Sequence, residues 1–393
     1  MKQSHLLSSD SPDLSVVIPC LNEEDTLSTC LAKLQIVAEQ ETFSMEVIVA
    51  DNGSQDGSID IALQFNAKVV HVSQKGYGSA LMGGIESAKA PFVLMADADD
   101  SYDFLETPKF FKKLKEGNDL VQGCRLPKGG GKIMAGAMPW SHRYIGNPLF
   151  TFLVRSWFRS PVNDVYCGMR AFRKSFYESL KMRCTGMEFA TEMIIKSSTP
   201  HTNTVEVPIT LHRDGRIQHP PHLRTIRDGW KTLCFFLICA PSKLFLIPGL
   251  LILLLGLILG GMGLGGFSIG SITLGAHTML GSSLLIISGY QSILVHELCL
   301  NLSSKLGMKV YKKKGLSCSL IVQQSLRISL LFLAFGLTLW AKVFLDWQNL
   351  GFGNLDYAST MKIVIPGATL AALSFETLTF TIFQSWIKIE INP

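Results

Sequence analysis

Residues 93–104 read VLMADADDSYDF, an apolar run that ends in three carboxylates, Asp97, Asp99 and Asp100, with Asp103 just beyond. A short apolar run closed by a polar turn is the pattern of a buried strand, and crowded carboxylates at its end raise one another's pKa unless a cation or a set of donors compensates. The arrangement repeats upstream. LSVVIPC (14–20) is followed by Asn22-Glu23-Glu24, and MEVIVA (45–50) by Asp51-Asn52-Gly53-Ser54 and Asp56-Gly57-Ser58. KVVHVS (68–73) and DLVQGC (119–124) are further β-rich runs, and amphipathic stretches separate them all. This alternation predicts an α/β fold, a mostly parallel sheet with helices on both faces, whose ligands bind outside the carboxyl ends of the strands. The three acidic or amide-rich turns fall on that edge.

Singly, NEEDT suits a helix N-terminus and DNGSQDGS a turn with a cap. Three anions at one strand end are harder to explain as a solvated turn. Oxygen ligands without His or Cys suit Mg²⁺ or Mn²⁺, which bind through one or two carboxylates plus substrate phosphates. The cation then bridges to a diphosphate.

The rest of the chain is apolar. Of 393 residues, 47% are hydrophobic and only 17% charged, and no Asp, Glu, Lys or Arg lies between Lys243 and Glu297. LFLIPGLLILLLGLILGG and MLGSSLLIISGYQSILV are each long enough to cross a bilayer, with a Gly-rich turn between them; residues 325–345 and 363–387 add two further spans. Lys305, Lys309, Lys312, Lys313, Lys314 and Arg327 lie between or beside the second and third spans, which predicts a cytoplasmic loop there and both termini in the cytoplasm. The opening MKQSHLLSSDSPDLS has no apolar core of a secretory signal. Nine scattered cysteines without a C-x-x-C pair point to reduced packing thiols, against a disulfide framework or a zinc site. A net charge of +5, with basic residues near the membrane boundary, favours anionic lipid head groups over nucleic acid.

Four regions follow: a polar tail (1–13), a catalytic domain (14–217), an interfacial amphipathic segment (218–243) and a four-span transmembrane domain (244–393). In the third, Leu223, Ile226, Trp230, Leu233 and Leu237 share one helical face while Arg224, Arg227 and Lys231 fall on another, the pattern of a helix lying in the membrane interface.

In order and spacing, SVVIPCLNEE, VADNGSQDGS, KGYGSAL, MADADDSYDF, DVYCGMRAF, GMEFATEMIIK, VEVPITLHR and IRDGWKTLCFFL resemble the family 2 glycosyltransferases of GT-A fold, and among them the polyprenyl-phosphate sugar synthases. The resemblance runs from about residue 14 to 240. It implies a nucleotide-sugar donor, a polyprenyl-phosphate acceptor and Mg²⁺ or Mn²⁺. Position by position, it implies a donor pocket from Pro19, Asn22, Glu23, Asp51, Gly53, Lys75, Gly76 and Asp97. Asp97, Asp99 and Ser101 are the implied ion ligands, Ser101 standing where some relatives have Gln. Arg125, Arg143 and Asn147 fall near the acceptor phosphate; Asp164, Gly168 and Arg170 form the far wall, with Asp97, Asp99, Asp164 and Arg170 as the catalytic set. Where relatives often carry Ser-Lys after the VPI strand, this chain has RDGRIQHPP.

The chemistry is consistent with these roles. A phosphate monoester has its second pKa near about 6, so it meets the anomeric carbon largely as the dianion and needs no base. Arg125, Lys128, Lys132, His142 and Arg143 lie in a Gly-rich segment suited to closing over a lipid head group. Two rivals remain. A processive polysaccharide synthase of the same family carries Gln-x-x-Arg-Trp, which is absent here. A lipid-carrier transporter that only binds nucleotide sugar would make use of intramembrane charge, of which the spans offer Glu297 and Glu376. The resemblance leaves homo-oligomerisation open.

Overall fold

In β1 (Leu14–Cys20) and β2 (Met45–Asp51) every residue is buried, because strands covered on both faces read as continuous apolar runs. The computed structural model describes residues 11–198, 201–217, 225–305 and 319–388. They fall in two compact units, Met1–Phe235 and Phe236–Pro393.

In the first unit, β1, β2, β3 (Lys68–His71), β4 (Phe92–Met95), β5 (Leu120–Cys124), β7 (Arg170–Arg173) and β8 (Thr204–Pro208) form a seven-stranded sheet in the order β3-β2-β1-β4-β7-β5-β8. All pairs are parallel except those of β7, which runs against both β4 and β5. Two short strands, β6 (Lys132–Ile133) and β9 (Thr210–Leu211), pair beside it. The register sets Cys20 opposite Asp51 and Asp51 opposite His71, so the turns after β1, β2 and β3 emerge side by side.

Helices α1 (Leu27–Gln40), α2 (Ser58–Gln64), α3 (Tyr77–Glu86), α4 (Thr107–Lys115), α5 (Asn147–Phe158), α6 (Lys174–Leu180) and α7 (Phe189–Ser197) complete the unit. Helix α1 buries Leu27, Cys30, Leu31, Leu34 and Val37, one face at helical spacing. Helix α3 lies close on the sheet because Gly84 has no side chain: a Cβ there would stand 2.5 Å from Val17 Cγ1. Helix α8 (Thr225–Cys239) runs across the boundary between the units. Its Trp230 is exposed while Phe235 and Phe236 are buried. Of the interfacial face read from the sequence, Leu223 and Arg224 lie outside the described residues.

The second unit holds α9 (Ile247–Gly265), a two-residue hairpin of β10 (Ser268–Ile269) and β11 (Ile272–Thr273), α10 (Ala276–Lys305), α11 (Ser319–Asn349) and α12 (Tyr357–Lys388). Four helical stretches, Ser242–Gly265, Ala276–Ser304, Gln324–Asn349 and Tyr357–Ile387, are long and apolar enough to cross a membrane. Small residues set their spacing, as expected where lipid offers no hydrophobic drive for association. Gly249, Gly256 and Gly263, seven apart on α9, face α10, and a Cβ on Gly256 would stand 2.9 Å from the Ile286 backbone nitrogen. Hydroxyl pairs join α10 to α12, Ser283 with Thr369 at 2.7 Å and Tyr290 with Thr377 at 2.8 Å. Ser329 donates to the Ser374 carbonyl at 2.9 Å, joining α11 to α12. Lys309, Lys312, Lys313 and Lys314 lie outside the described residues.

Candidate active site

Each crowded carboxylate after β4 has its own donors. Asp100, in left-handed backbone conformation, pairs with Lys33 at 2.7 Å, and Lys33 also reaches Asp103 at 3.6 Å. Asp97 Oδ1 accepts from the Tyr77 hydroxyl at 2.8 Å. Burial first, and then the charge of Asp99, push the Asp97 carboxyl up to about 7. Asp99 Oδ1 accepts from Ser101 N at 3.0 Å and Ser101 Oγ at 2.6 Å, so Ser101 orients the carboxylate beside which it was expected to ligate. Gly168 is required at this spot: a Cβ there would stand 2.6 Å from Asp97 Oδ2.

The turns after β1 and β2 are stitched into one wall. Ser54 Oγ accepts from Asn22 N at 3.1 Å, Asn22 Oδ1 from Gln55 N at 2.8 Å, and Ser58 Oγ from Glu23 N at 2.8 Å. Asn22 can close this turn because its φ of 56° is a conformation Asn tolerates. Pro19 sits where a ladder donor is not needed: the Val17 carbonyl accepts from Ala96 N at 3.4 Å on the β4 side, and β4 ends opposite Val17. Asp51 accepts from Gly53 N, Ser54 N and His71 Nδ1 at 3.2, 2.8 and 3.1 Å. Burial alone would raise its carboxyl; the hydrogen bonds, led by those from Ser54, outweigh that and hold it below the ordinary range. Lys75 Nζ donates to the Asn52 carbonyl at 2.6 Å, lying over Gly53, whose φ of 95° and missing side chain leave it room. Asn52 Oδ1 accepts from Gly76 N at 2.8 Å. Gly76, at φ 133°, passes so close to the Thr185 carbonyl that a Cβ would stand 2.2 Å from it.

Arg125 and Asp164 form one buried ion pair. Asp164 Oδ2 accepts from Arg125 N and Nε at 2.9 and 2.8 Å, and Oδ1 from Arg125 Nη2 at 2.8 Å. The Tyr102 hydroxyl accepts from Gly168 N at 2.8 Å and Arg125 Nη1 at 3.4 Å, linking the pair to the Asp97 turn. Glu206 holds the Asp164 loop from below, accepting from Asp164 N at 3.0 Å. Arg125, expected as an acceptor cation, is thus committed to Asp164. Arg170, expected in the catalytic set, is fully buried, and its guanidinium donates to the carbonyls of Cys167, Ala190 and Val165 at 2.9, 2.6 and 2.8 Å. It builds the loop around Gly168 and faces no open site.

Arg143 and Asn147 lie apart from this network. Arg143 stands over the Tyr144 ring at 5.4 Å in a single π-helical turn, His142–Gly146, and buried Asn147 opens α5 with its Nδ2 on Met138 Sδ at 3.3 Å. Along this stretch Trp140, Tyr144, Ile145, Leu149 and Phe152 are all exposed. A run of bare aromatic and aliphatic side chains is costly in water and marks a contact surface.

Two comparisons decide the assignment. The glycosyl transferase family 2 profile matches residues 15–181, and that of the glycosyltransferase family 2 C-terminal transmembrane region matches residues 315–388. The low-salt glycan biosynthesis hexosyltransferase Agl6 of Haloferax volcanii is 35% identical over 294 residues, 74% of this chain and 69% of that one. The chain belongs to glycosyl transferase family 2. This family 2 glycosyltransferase is also similar to the dolichyl-phosphate hexose transferase of Haloferax volcanii, 32% identical over 198 residues, 50% of this chain and 82% of that one. Its sheet is of the GT-A type, and it is an integral membrane protein with a glycosyltransferase domain ahead of its transmembrane region.

Sequence reasoning missed Arg216 in this family 2 glycosyltransferase. From the RDGRIQ segment it reaches Glu23 Oε2 at 2.7 Å, Asp214 Oδ2 at 3.1 Å and Asp99 Oδ2 at 3.5 Å. Tyr77 and Tyr102 were missed as well. The signal for all three is tertiary, since each acts on a residue at least 20 positions away.

Proposed function

We propose that this chain is an inverting hexosyltransferase that moves a sugar from a nucleotide diphosphate sugar to the phosphate of a polyprenyl phosphate at the cytoplasmic membrane face. The observation that carries the reading is the state of Asp164. Both its oxygens are taken by Arg125, so the carboxylate best placed to act as a base for a hydroxyl acceptor is already committed. A phosphate dianion needs no base.

In one displacement, a phosphate oxygen forms a bond to the anomeric carbon as the bond from that carbon to the diphosphate oxygen breaks. The products are a polyprenyl phosphohexose and a nucleoside diphosphate, with no proton to be placed. The Asn22–Glu23 and Asp51–Ser58 turns form the nucleoside wall, made rigid by their mutual hydrogen bonds. Asp97 and Asp99 suit Mg²⁺ or Mn²⁺ as an all-oxygen pair. One or two carboxylates completed by substrate phosphates is the usual way such an ion is held. When bound, that ion stabilises charge on the departing diphosphate. Arg143 is the acceptor cation left once Arg125 is assigned to Asp164, and the exposed Trp140–Phe152 face supports contact with lipid.

The test is transfer of label from radiolabelled nucleotide sugars into an organic-extractable lipid by the purified protein, with and without chelator. Label in lipid, lost with chelator, is expected. Label in an aqueous polymer would point to a polysaccharide synthase, and nucleotide-sugar binding with no transfer to a transporter.

A further inference from the structure

We propose that Arg216 is a positioning residue that makes the divalent ion and the nucleotide diphosphate bind as a pair, by holding Asp99 until both arrive. The inference rests on the donor-site reading above. It starts from the strap that carries Arg216. Backbone bonds fix the strap to the acidic turn: His212 N donates to the Ser101 carbonyl and Gly215 N to the Asp99 carbonyl, both at 2.9 Å. Ile217 N donates to Asp25 Oδ2 at 3.0 Å, tying its far end to the approach to α1. Gly215 permits the close passage, since a Cβ would meet Thr26 Cγ2 at 3.0 Å and lie 3.5 Å from the Asp99 carbonyl oxygen.

The strap thereby seats one guanidinium, with its side chain 9% exposed, among three carboxylates contributed by three segments. Its contacts are unequal. Nε donates to Glu23 at 2.7 Å and Nη1 to Asp214 at 3.1 Å, whereas Nη2 stands 3.5 Å from Asp99, beyond a good hydrogen bond. Glu23 and Asp214 are the pivot, and the Asp99 contact is the one that yields.

An ion arriving alone must draw Asp99 away from a cation and leaves Arg216 facing that new positive charge. An ion arriving with a diphosphate brings oxygens for which the planar guanidinium fork is suited, so Arg216 exchanges one anion for another. The outcome is positive coupling between ion and nucleotide, reciprocal by thermodynamic necessity. An ion held without donor is disfavoured.

The experiment measures Mn²⁺ binding by electron paramagnetic resonance on the full-length protein in detergent, alone and with UDP or GDP. In the wild type, one of the two nucleotides should tighten Mn²⁺ binding about tenfold or more. In Arg216→Gln, Mn²⁺ alone should bind at least about fivefold tighter, while the tightening by nucleotide falls to about twofold or less. Arg216→Lys, which keeps the charge without the fork, should retain weak binding of Mn²⁺ alone and lose part of the coupling. A wild type whose Mn²⁺ binding responds to neither nucleotide overturns the donor-site reading and this inference with it. A coupled wild type with an unchanged Arg216→Gln, or with looser binding of Mn²⁺ alone in that variant, overturns this inference only.

Discussion

At the scale of single residues, the two aspartates of the acidic turn have different neighbours, and the differences dictate what substitution does. Asp99→Asn keeps the hydrogen bonds from Ser101 and removes the charge. Transfer should fall at least about 100-fold, the loss expected of a few kcal/mol of electrostatic stabilisation, with the melting temperature little changed. Turnover close to wild type would remove Asp99 from the ion site. Arg125 and Arg143 should separate in the opposite sense. Arg125→Ala leaves Asp164 charged and buried without its partner, a change that typically costs about 3–5 kcal/mol, so unfolding by denaturant should shift strongly. Arg143→Ala, whose guanidinium only covers an exposed ring, should stay within about 0.5 kcal/mol of wild type and act on acceptor use instead. The sequence made Asp97 and Asp99 legible because crowded carboxylates are conspicuous in any order of reading. It could not show that Arg125 is committed to Asp164, 39 positions away, or that Arg170 is enclosed by carbonyls.

At the scale of elements, five strands could be read from β-rich runs because each is long or flanked by turn residues. Strand β7 could not, since Arg170-Ala171-Phe172-Arg173 is four residues long with an arginine at each end, and only its place between β4 and β5 makes it a strand. The Gly-rich segment after β5, read from the sequence as suited to closing over a lipid head group, is held at two points: Lys132–Ile133 pairs with Thr210–Leu211 and Arg213 Nε donates to the Ala135 carbonyl at 2.6 Å. Two helices carry predictions. On α5 and the turn before it, Trp140→Ser with Phe152→Ser should raise the KM for a polyprenyl phosphate several-fold and leave nucleotide affinity unchanged; equal kinetics with the lipid acceptor would rule out this face as a lipid contact. On α9, Gly256→Leu forces a side chain against the Ile286 backbone, so resistance to unfolding in a detergent titration should fall by about 1–3 kcal/mol.

At the scale of the whole molecule, if the four long apolar helices all cross the membrane, the two ends of the chain fall on one side, and the lysines between the second and third spans predict that this side is the cytoplasm. A reporter fused after Pro393 should therefore be read from the cytoplasm, and accessibility only from outside would reverse the assignment. The spans were legible because absence of charge over long stretches is visible in composition alone; the pairing of Ser283 with Thr369 and of Tyr290 with Thr377 was not, because it depends on which helix lies beside which. The antiparallel strand β7, inserted between β4 and β5, bears on how the protein is made. Strand β4 leaves the ribosome roughly 75 residues before β7, its partner, and at about 5–20 residues per second this interval lasts on the order of 4–15 s. Throughout it the inner edge of β4 is unpaired, and β5 has emerged with no neighbour to join. A nascent chain stalled in that window exposes apolar strand edges before their partner exists, which makes the stretch between residues 124 and 170 the one where a pause in translation is most hazardous and a chaperone most useful.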